Sequence, residues 1–192
     1  MKLIFLRHTS LKVELDTFYG QTDLDVSGNF KKEVEDIKKK ISSLNIDLKK
    51  FKVLSSPLKR CVKLTEQISN KYETDDRIKE MNLGDWEMKK MSSIPTKQKN
   101  DWENNLLSFK IPNGESNEEF LNRLNDFLKD FLKMKQDIFV ICHAGSINGM
   151  ISILTGEPFH ELVKNYWEKI GYGSLSIIEI RGGSVFKKRI GI

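Results

Sequence analysis

The sequence predicts an α/β fold, a three-layer α/β/α arrangement with a mainly parallel central sheet and an antiparallel edge. Short apolar runs such as Leu3–Leu6 and Asp137–Cys142 alternate with segments of helical periodicity, the order that builds parallel sheets through crossover helices. Two β-rich runs, Ser174–Ile180 and Ser184–Ile190, close the chain with Arg181-Gly182-Gly183 between them. This pattern predicts a C-terminal hairpin, which supplies the antiparallel edge.

Two amphipathic segments give the clearest helical signals. Ser27-Gly28 opens the first, and its apolar residues recur at helical spacing: Phe30, Val34, Ile37, Ile41 and Leu44. Ser116 and Glu119 form a capping box that starts the second. Its apolar face consists of Phe120, Leu124, Phe127, Phe131 and Met134, with Leu121, Leu128 and Leu132 beside it. Faces this apolar are expected to be deeply buried.

A junction between strand and helix follows the first amphipathic segment. Val53 and Leu54 end a short strand. Ser56 is a suitable N-cap, and Pro57 suits the first helical position because its missing N–H would have no partner there. Arg60 then falls in the first turn of the helix, where free amide donors and the macrodipole attract anions.

Loops and shorter helices account for most of the remaining chain. Residues 10–26 and 75–87 are predicted to be loops, the second with a turn of helix. Residues 146–154 form a predicted helix, and Pro158 starts another. His160 is expected to be an ordinary residue of that last helix.

Length and charge limit the organisation of the chain. With 192 residues it can bury one sizeable core, so residues 1–192 are expected to form a single domain. The polar segment 88–112 is a candidate lid over a pocket, and a plain surface excursion is the alternative. The formal net charge is +5, but basic residues are interspersed with acids, which favours small anionic ligands over nucleic acid.

The cysteines and the N-terminal segment bear on the cellular compartment. Cys61 and Cys142 are far apart and belong to no Cys-x-x-Cys pair, so two buried free thiols in a reducing compartment are expected. No signal-peptide pattern and no bilayer-spanning apolar run is visible, which predicts a cytoplasmic protein without a membrane partner. The oligomeric state stays open, and a homodimer is one option.

Two of the three histidines stand where an apolar strand gives way to a loop: His8 after Arg7, and His143 after Cys142. Ligands bind beyond the carboxyl ends of strands in open α/β sheets, so one crevice could collect these residues together with Arg60. Two arginines beside two histidines suit a phosphate, because guanidinium offers bidentate donors and stays charged. No residues show metal-ligand spacing, and neither a metal nor another cofactor is expected.

Five motifs occur in order along the chain: Arg7-His8-Thr9, Ser56-Pro57-x-x-Arg60-Cys61, Glu80 ahead of Gly84-Asp85-Trp86-Glu87, Gly114-Glu115-Ser116, and His143-Ala144-Gly145. This ordered set resembles the histidine phosphatase superfamily, also called phosphoglycerate mutase-like. The stretch Tyr19-Gly20-Gln21-Thr22-Asp23 is most similar to the α-ribazole phosphatase branch. That branch removes the 5′-phosphate of α-ribazole phosphate during assembly of the cobalamin nucleotide loop.

The resemblance implies a metal-independent phosphomonoesterase that acts through a phosphohistidine intermediate. His8 is the implied nucleophile, which attacks phosphorus with an unprotonated ring nitrogen. Glu80 is the implied proton donor to the leaving oxygen. The residues implied to neutralise the phosphoryl oxygens are Arg7, Arg60 and His143.

Three positions depart from the common family pattern. Thr9 replaces the usual Gly after Arg-His, and Asn148 stands where an Arg often follows the second His motif. Glu14 stands where many members carry a phosphate-binding Asn, and a carboxylate there would repel substrate. Further predicted phosphate contacts are Gln21, Thr22 and Ala144. Asp85 and Glu87 are expected to be structural.

Two other interpretations stay open. A phosphoglycerate mutase would use the same constellation and return the phosphoryl group to the sugar acid; such mutases are longer and richer in basic residues, although the 88–112 segment also carries lysines. A non-catalytic module that binds phosphorylated ligands is the alternative from another class. Every expected catalytic position is filled, which argues against that module.

Overall fold

A mixed sheet lies at the centre of the computed structural model, which describes residues 1–14, 16–166 and 168–192. Its strands are β1 (Lys2–Arg7), β2 (Lys52–Ser55), β3 (Glu73–Thr74), β4 (Ile138–Cys142), β5 (Leu175–Arg181) and β6 (Ser184–Arg189). They are arranged in the order β3-β2-β4-β1-β5-β6. The first four strands run parallel, and β5 is antiparallel to both of its neighbours, β1 and β6. The predicted parallel sheet and its antiparallel edge are confirmed.

Helices cover both faces of this sheet. They are α1 (Phe30–Ser43), α2 (Lys59–Ile68), α4 (Asn117–Met134), α5 (Ala144–Thr155) and α6 (Phe159–Tyr166), while α3 (Thr96–Asn104) contributes no residue to either core of the sheet. Leu3 and Phe5 share one core with α4, α5 and α6, whereas Ile4 and Leu6 share the other with α1 and α2. Because successive strand residues point to opposite faces, β1 contributes to both cores. The three-layer α/β/α arrangement is confirmed.

A crevice opens between the carboxyl ends of β1 and β4. Arg7, the last residue of β1, pairs with Cys142, the last residue of β4. The chain leaves β1 for α1 on one face and leaves β4 for α5 on the other, so the two connections diverge. His8 and His143 are the first residues beyond these strands, and both lie at the crevice.

The start of α2 differs from the sequence prediction. Leu58 has extended dihedral angles and is the N-cap, so the helix begins at Lys59 and Pro57 lies before it. The Ser56 hydroxyl is 3.4 Å from the Leu58 N–H and accepts a shorter hydrogen bond from His143. Asp23 accepts from the Lys59 N–H at 2.7 Å and satisfies the first turn instead. The prediction of Ser56 as N-cap was therefore wrong, although Arg60 does lie in the first turn.

Helix α4 has the predicted capping box. The Glu119 N–H donates to the Ser116 hydroxyl, and the Ser116 N–H donates back to the Glu119 carboxylate. Four predicted face residues are buried: Phe120, Leu124, Phe127 and Phe131. Met134 is 62% exposed, because it ends the helix just before Lys135 turns into the left-handed region. Its assignment to the buried face was wrong.

Both cysteines are free and buried, as expected. Burial raises the pKa of the Cys61 thiol to about 12, so this thiol stays protonated at neutral pH. In the described ranges, no helix has the length and apolar character needed to cross a membrane.

The segment 88–112 is not an unstructured excursion, because it contains α3 and a 3₁₀ turn at Met91–Ser93. Ile94 and Ile111 are buried with Trp86 in a small separate cluster. Trp102 of α3 packs edge-on against Trp86, with ring centroids 6.1 Å apart. These contacts place α3 beside the loop that carries Glu80.

Candidate active site

A cavity of about 450 Å³ opens beside the crevice between β1 and β4. Arg7, His8, Glu80, Ala144 and Gly145 line its inner part. Its walls are mainly apolar and include Phe18, Tyr19, Trp102, Leu106, Phe120 and Phe159. The site thus joins a small polar end to a larger apolar chamber.

His8 is held in a single neutral tautomer. It is 1% exposed, and its Nδ1 lies 2.8 Å from the Thr9 carbonyl oxygen. A carbonyl can only accept, so Nδ1 carries the proton and Nε2 keeps its lone pair. Burial lowers the pKa of His8 well below its usual value, and the Arg60 and Arg7 charges lower it further. A neutral imidazole with a free Nε2 is the form that can act as a nucleophile.

His143 is neutral as well, and both of its ring nitrogens have partners. Arg60 Nε donates to its Nδ1 at 3.2 Å, so the ring proton lies on Nε2, which donates to the Ser56 hydroxyl at 2.8 Å. Burial lowers the pKa of His143 well below its usual value, and nearby Arg60 acts in the same direction. Its ring lies 5.2 Å from that of His8. Since His143 is uncharged, the positive charge of the site comes from the arginines.

Arg60 is fully buried and has no carboxylate partner in the described ranges. Its Nη1 donates to the Thr22 carbonyl at 2.9 Å and its Nη2 to the Gly20 carbonyl at 2.5 Å. Carbonyl groups orient a guanidinium but do not neutralise it. The buried positive charge favours an anionic ligand close to Arg60, although its side chain is not among those that line the cavity.

Arg7 also retains an unused donor. Its Nη1 donates to the Ile170 carbonyl at 2.7 Å, and its guanidinium carbon lies 4.1 Å from the centre of the Tyr172 ring. Its buried Nε has no hydrogen-bond partner among the described residues. The neighbouring Thr9 hydroxyl is likewise buried without a partner in that part of the chain. These two groups belong to the residues on either side of His8, and both are of a kind that can donate to a phosphoryl oxygen.

Glu80 is positioned by backbone donors. The Gly145 N–H donates to its Oε2 at 2.9 Å and the Met81 N–H to its Oε1 at 3.0 Å. Arg123 fixes the backbone of the same segment by donating to the carbonyls of Lys79 and Glu80, each at 2.8 Å. The carboxyl group therefore faces the cavity from a segment tied to α4 and α5.

The other predicted phosphate contacts are near the site in different ways. Because Ala144 is the first residue of α5, its N–H has no intrahelical partner. Ala144 also lines the cavity. Gln21 donates through Nε2 to the Glu80 carbonyl at 3.0 Å. The Thr22 hydroxyl donates to Glu87 at 2.6 Å. Both loop side chains thus have protein partners, and their predicted phosphate contacts stay predictions.

Of the three positions that depart from the family pattern, Thr9 adjoins His8, whereas Glu14 and Asn148 have protein partners of their own. Glu14 is exposed and forms an ion pair with Lys90 at 3.2 Å. Asn148 is buried within α5, where its Nδ2 donates to the Ala144 carbonyl at 3.1 Å. A repulsive carboxylate at position 14 is therefore not a feature of this site.

Sequence reasoning missed several residues of the cavity. His160 and Lys164, one turn apart on α6, line its mouth, and their i, i+4 spacing was the available signal. His160 was expected to be an ordinary helical residue. Tyr172, which is not among the residues that line the cavity, forms a hydroxyl pair with Tyr19 at 2.6 Å beside the His8 ring. No sequence signal connects these two tyrosines, because 153 positions separate them.

The fold and the site together define a phosphatase-type enzyme. The chain belongs to the histidine phosphatase superfamily (branch 1), whose sequence profile matches residues 3–192. The resemblance read from the ordered motifs is confirmed.

Individual relatives differ in the activities that they are named for. Phosphoserine phosphatase 1 from Hydrogenobacter thermophilus is 26% identical over 166 residues, which cover 81% of this chain and 77% of that protein. The 2,3-bisphosphoglycerate-dependent phosphoglycerate mutase of Wigglesworthia glossinidia brevipalpis is 26% identical over 230 residues, which cover 98% of this chain and 96% of that protein. The crystal structure of the α-ribazole phosphatase from Shigella flexneri superimposes with a TM-score of 0.81 at 22% identity, and the match covers 99% of this chain and 95% of that one. This last likeness shows the shared fold.

Proposed function

We propose that the protein hydrolyses a small phosphomonoester through a phosphohistidine formed on His8, without a metal ion. The observation that carries the proposal is the hydrogen bond from His8 Nδ1 to the Thr9 carbonyl, because it leaves Nε2 as the nucleophilic atom. The buried charge of Arg60 and the unpartnered Nε of Arg7 support binding of the phosphoryl group beside it.

The proposed reaction has two steps. In the first, His8 Nε2 attacks phosphorus, and the bond from phosphorus to the leaving oxygen breaks while Glu80 gives that oxygen a proton. In the second, water attacks the phosphohistidine, Glu80 takes a proton from the water, and the P–N bond breaks to release orthophosphate. The Thr9 carbonyl stabilises the positive ring of the intermediate by accepting from Nδ1 in both steps.

The proposed substrate is α-ribazole 5′-phosphate, whose leaving group carries an aromatic base. Aromatic residues of the cavity wall, including Phe18, Trp102 and Phe159, support a leaving group of this kind. If the base of this leaving group buries roughly 100 Å² of apolar surface, at about 25 cal/mol per Å², its binding is strengthened by about 2.5 kcal/mol. This corresponds to a kcat/KM about 70-fold higher than that of a phosphomonoester without the base. Trp102 and Leu106 come from the 88–112 segment, which supports its proposed role as a lid.

Phosphoglycerate mutase activity is the second candidate. His160 and Lys164 at the mouth could bind the carboxylate of a phosphoglycerate, and the mutase relative supports this alternative. The apolar walls favour α-ribazole phosphate, because a phosphoglycerate would leave them in contact with water.

The test is phosphate release from a panel of substrates in the presence of a chelator. The panel contains α-ribazole 5′-phosphate, phosphoserine, 3-phosphoglycerate, a sugar phosphate and a nucleotide. We expect the highest kcat/KM for α-ribazole 5′-phosphate and little interconversion of phosphoglycerates. Preferred hydrolysis of phosphoserine or 3-phosphoglycerate would refute the substrate assignment.

A second measurement tests the intermediate. Rapid alkaline quenching of a reaction with ³²P-labelled substrate is expected to trap acid-labile radioactivity on the wild-type protein and none on a His8→Ala variant. Phosphate release without a trapped intermediate would contradict the histidine mechanism. Binding of phosphorylated ligands without any turnover would identify a non-catalytic module.

A further inference from the structure

The loop formed by residues 20–22 lies between two charged side chains that do not touch each other. Its N–H groups point toward Glu87 and two of its carbonyl groups point toward Arg60. We propose that Glu87 is a positioning residue for phosphoryl binding, which acts through this loop to orient the Arg60 guanidinium. The proposal rests on the proposed function in one respect, the assignment of Arg60 to the phosphoryl group.

The Glu87 carboxylate accepts several hydrogen bonds from this loop. Its Oε2 accepts from the Gly20 N–H at 2.9 Å and from the Thr22 hydroxyl at 2.6 Å, and its Oε1 accepts from the Gln21 N–H at 2.7 Å. Longer contacts of 3.2 Å reach it from the Thr22 and Leu83 N–H groups. These bonds, the one from Thr22 foremost, lower the pKa of Glu87 even though burial acts in the opposite direction. The carboxylate is therefore ionised at neutral pH and acts as an acceptor only.

The other side of the same loop holds Arg60. The Gly20 and Thr22 carbonyls accept from Nη2 and Nη1, and Nε donates to His143. These bonds use three of the five N–H groups of the guanidinium, which leaves two for a ligand. If the loop moved, the guanidinium would lose its alignment with both His143 and the phosphoryl group.

The charges explain why a carboxylate suits position 87. The peptide group between Gly20 and Gln21 donates to Glu87 through its N–H and accepts from Arg60 through its carbonyl, so its two hydrogen bonds polarise it in the same direction and strengthen each other. A direct ion pair would neutralise Arg60, whereas an intervening peptide layer keeps its charge available to a ligand. Gly20 completes the arrangement, because a Cβ at this position would overlap the Met81 carbonyl oxygen.

An amide at position 87 would break the loop contacts. Glu87→Gln keeps one acceptor oxygen but presents an NH₂ group to donors of residues 20–22, so donors would face donors. We expect the Kd of orthophosphate, measured by calorimetry, to weaken by about tenfold or more, because hydrogen bonds to charged groups are lost. The kcat/KM should fall by the same factor for p-nitrophenyl phosphate and for an alkyl phosphate, since no proton transfer is affected.

A double-mutant cycle separates positioning from general destabilisation. In an Arg60→Lys background the Glu87→Gln change should weaken phosphate binding by less than about twofold, because the positioned group is already gone. The proposal is overturned if the effects of Glu87→Gln and Arg60→Lys on the phosphate Kd multiply in the double variant. It is also overturned if folded Glu87→Gln protein keeps the wild-type phosphate Kd.

Two further variants keep the result interpretable. Thr22→Val removes one donor to Glu87 with little change of shape, and it should weaken phosphate binding in the same direction if Glu87→Gln fails to fold. Asp47→Asn is the matched control, because Asp47 also accepts a backbone N–H, from Lys49, but lies before β2 at the opposite end of the sheet. It should leave the phosphate Kd unchanged. Phosphate binding by wild-type protein that hydrolyses no monoester would refute the proposed function while these comparisons still test Glu87.

Discussion

Gly145→Ala tests how closely the proposed proton donor must be placed. A Cβ at Gly145 would overlap Glu80 Oε1 and lie 3.0 Å from Cδ and 3.1 Å from Oε2, all closer than the 3.4 Å at which ordinary contact begins. The Glu80 carboxyl group is the far end of a flexible side chain, so it can retreat without unfolding the protein. Relief of the overlap requires a shift on the order of 1 Å, and a misplacement of about 1 Å costs roughly 100-fold in rate.

The assay compares two leaving groups. An alkyl phosphate needs a proton on its leaving oxygen, whereas p-nitrophenolate leaves without one, so we expect kcat to fall about 100-fold for the first and only a few-fold for the second. Gly28→Ala is the matched control, because a Cβ there meets nothing within 4 Å. Equal losses for both substrates, or unchanged rates with the alkyl phosphate, would refute the placement argument for Glu80.

Three other substitutions or conditions give further tests. Arg123→Lys should slow the hydrolysis of alkyl phosphates more than that of p-nitrophenyl phosphate. The reason is that lysine cannot bind the Lys79 and Glu80 carbonyls and the Glu115 carboxylate at once. Equal slowing of both reactions in steady-state assays would contradict this. Phe127→Ala should lower the free energy of unfolding by about 3–5 kcal/mol in urea titrations, and a loss below about 1 kcal/mol would contradict its burial in the core. Burial lowers the pKa values of His8 and His143, so the unfolded chain takes up protons at these residues first as the pH falls. The free energy of unfolding, measured by urea titration, should therefore fall below about pH 6.5 by up to about 1.4 kcal/mol per pH unit for each histidine. A constant free energy of unfolding between about pH 7.5 and 5.5 would contradict their neutral burial.

The strand ends could be predicted because their signals are local. An apolar run stops at Leu6 and another at Cys142, and each strand ends within a residue of that point. The alternation of strands and helices predicts that these strands run parallel, and the observed pairing of β1 with β4 brings His8 and His143 together. Arg60 lies in a first helical turn as expected, although the helix begins at Lys59 and has Leu58 instead of Ser56 as its N-cap.

The remaining parts depend on partners that are distant in sequence. Ser56 has the local signature of an N-cap, but Asp23 takes over that task across 36 positions, and Ser56 accepts from His143 instead. The position of His160 at the cavity depends on how α6 packs there, whereas its i, i+4 spacing with Lys164 indicates only that the two side chains share a helix face. Glu87 was expected to be structural, and only the folded loop shows that it lies opposite Arg60.

Arg60 has no carboxylate partner among the described residues, and this has a consequence for the end of the catalytic cycle. If Arg60 binds the phosphoryl group as proposed, this buried cation, held by two carbonyl oxygens and the neutral His143 ring, attracts the departing orthophosphate as strongly as the incoming ester. The enzyme should therefore be slowed by its own product and should melt at a higher temperature in phosphate buffer than in a buffer of bulky organic ions. Strong binding of the ester and fast release of orthophosphate therefore place opposing requirements on the same side chain.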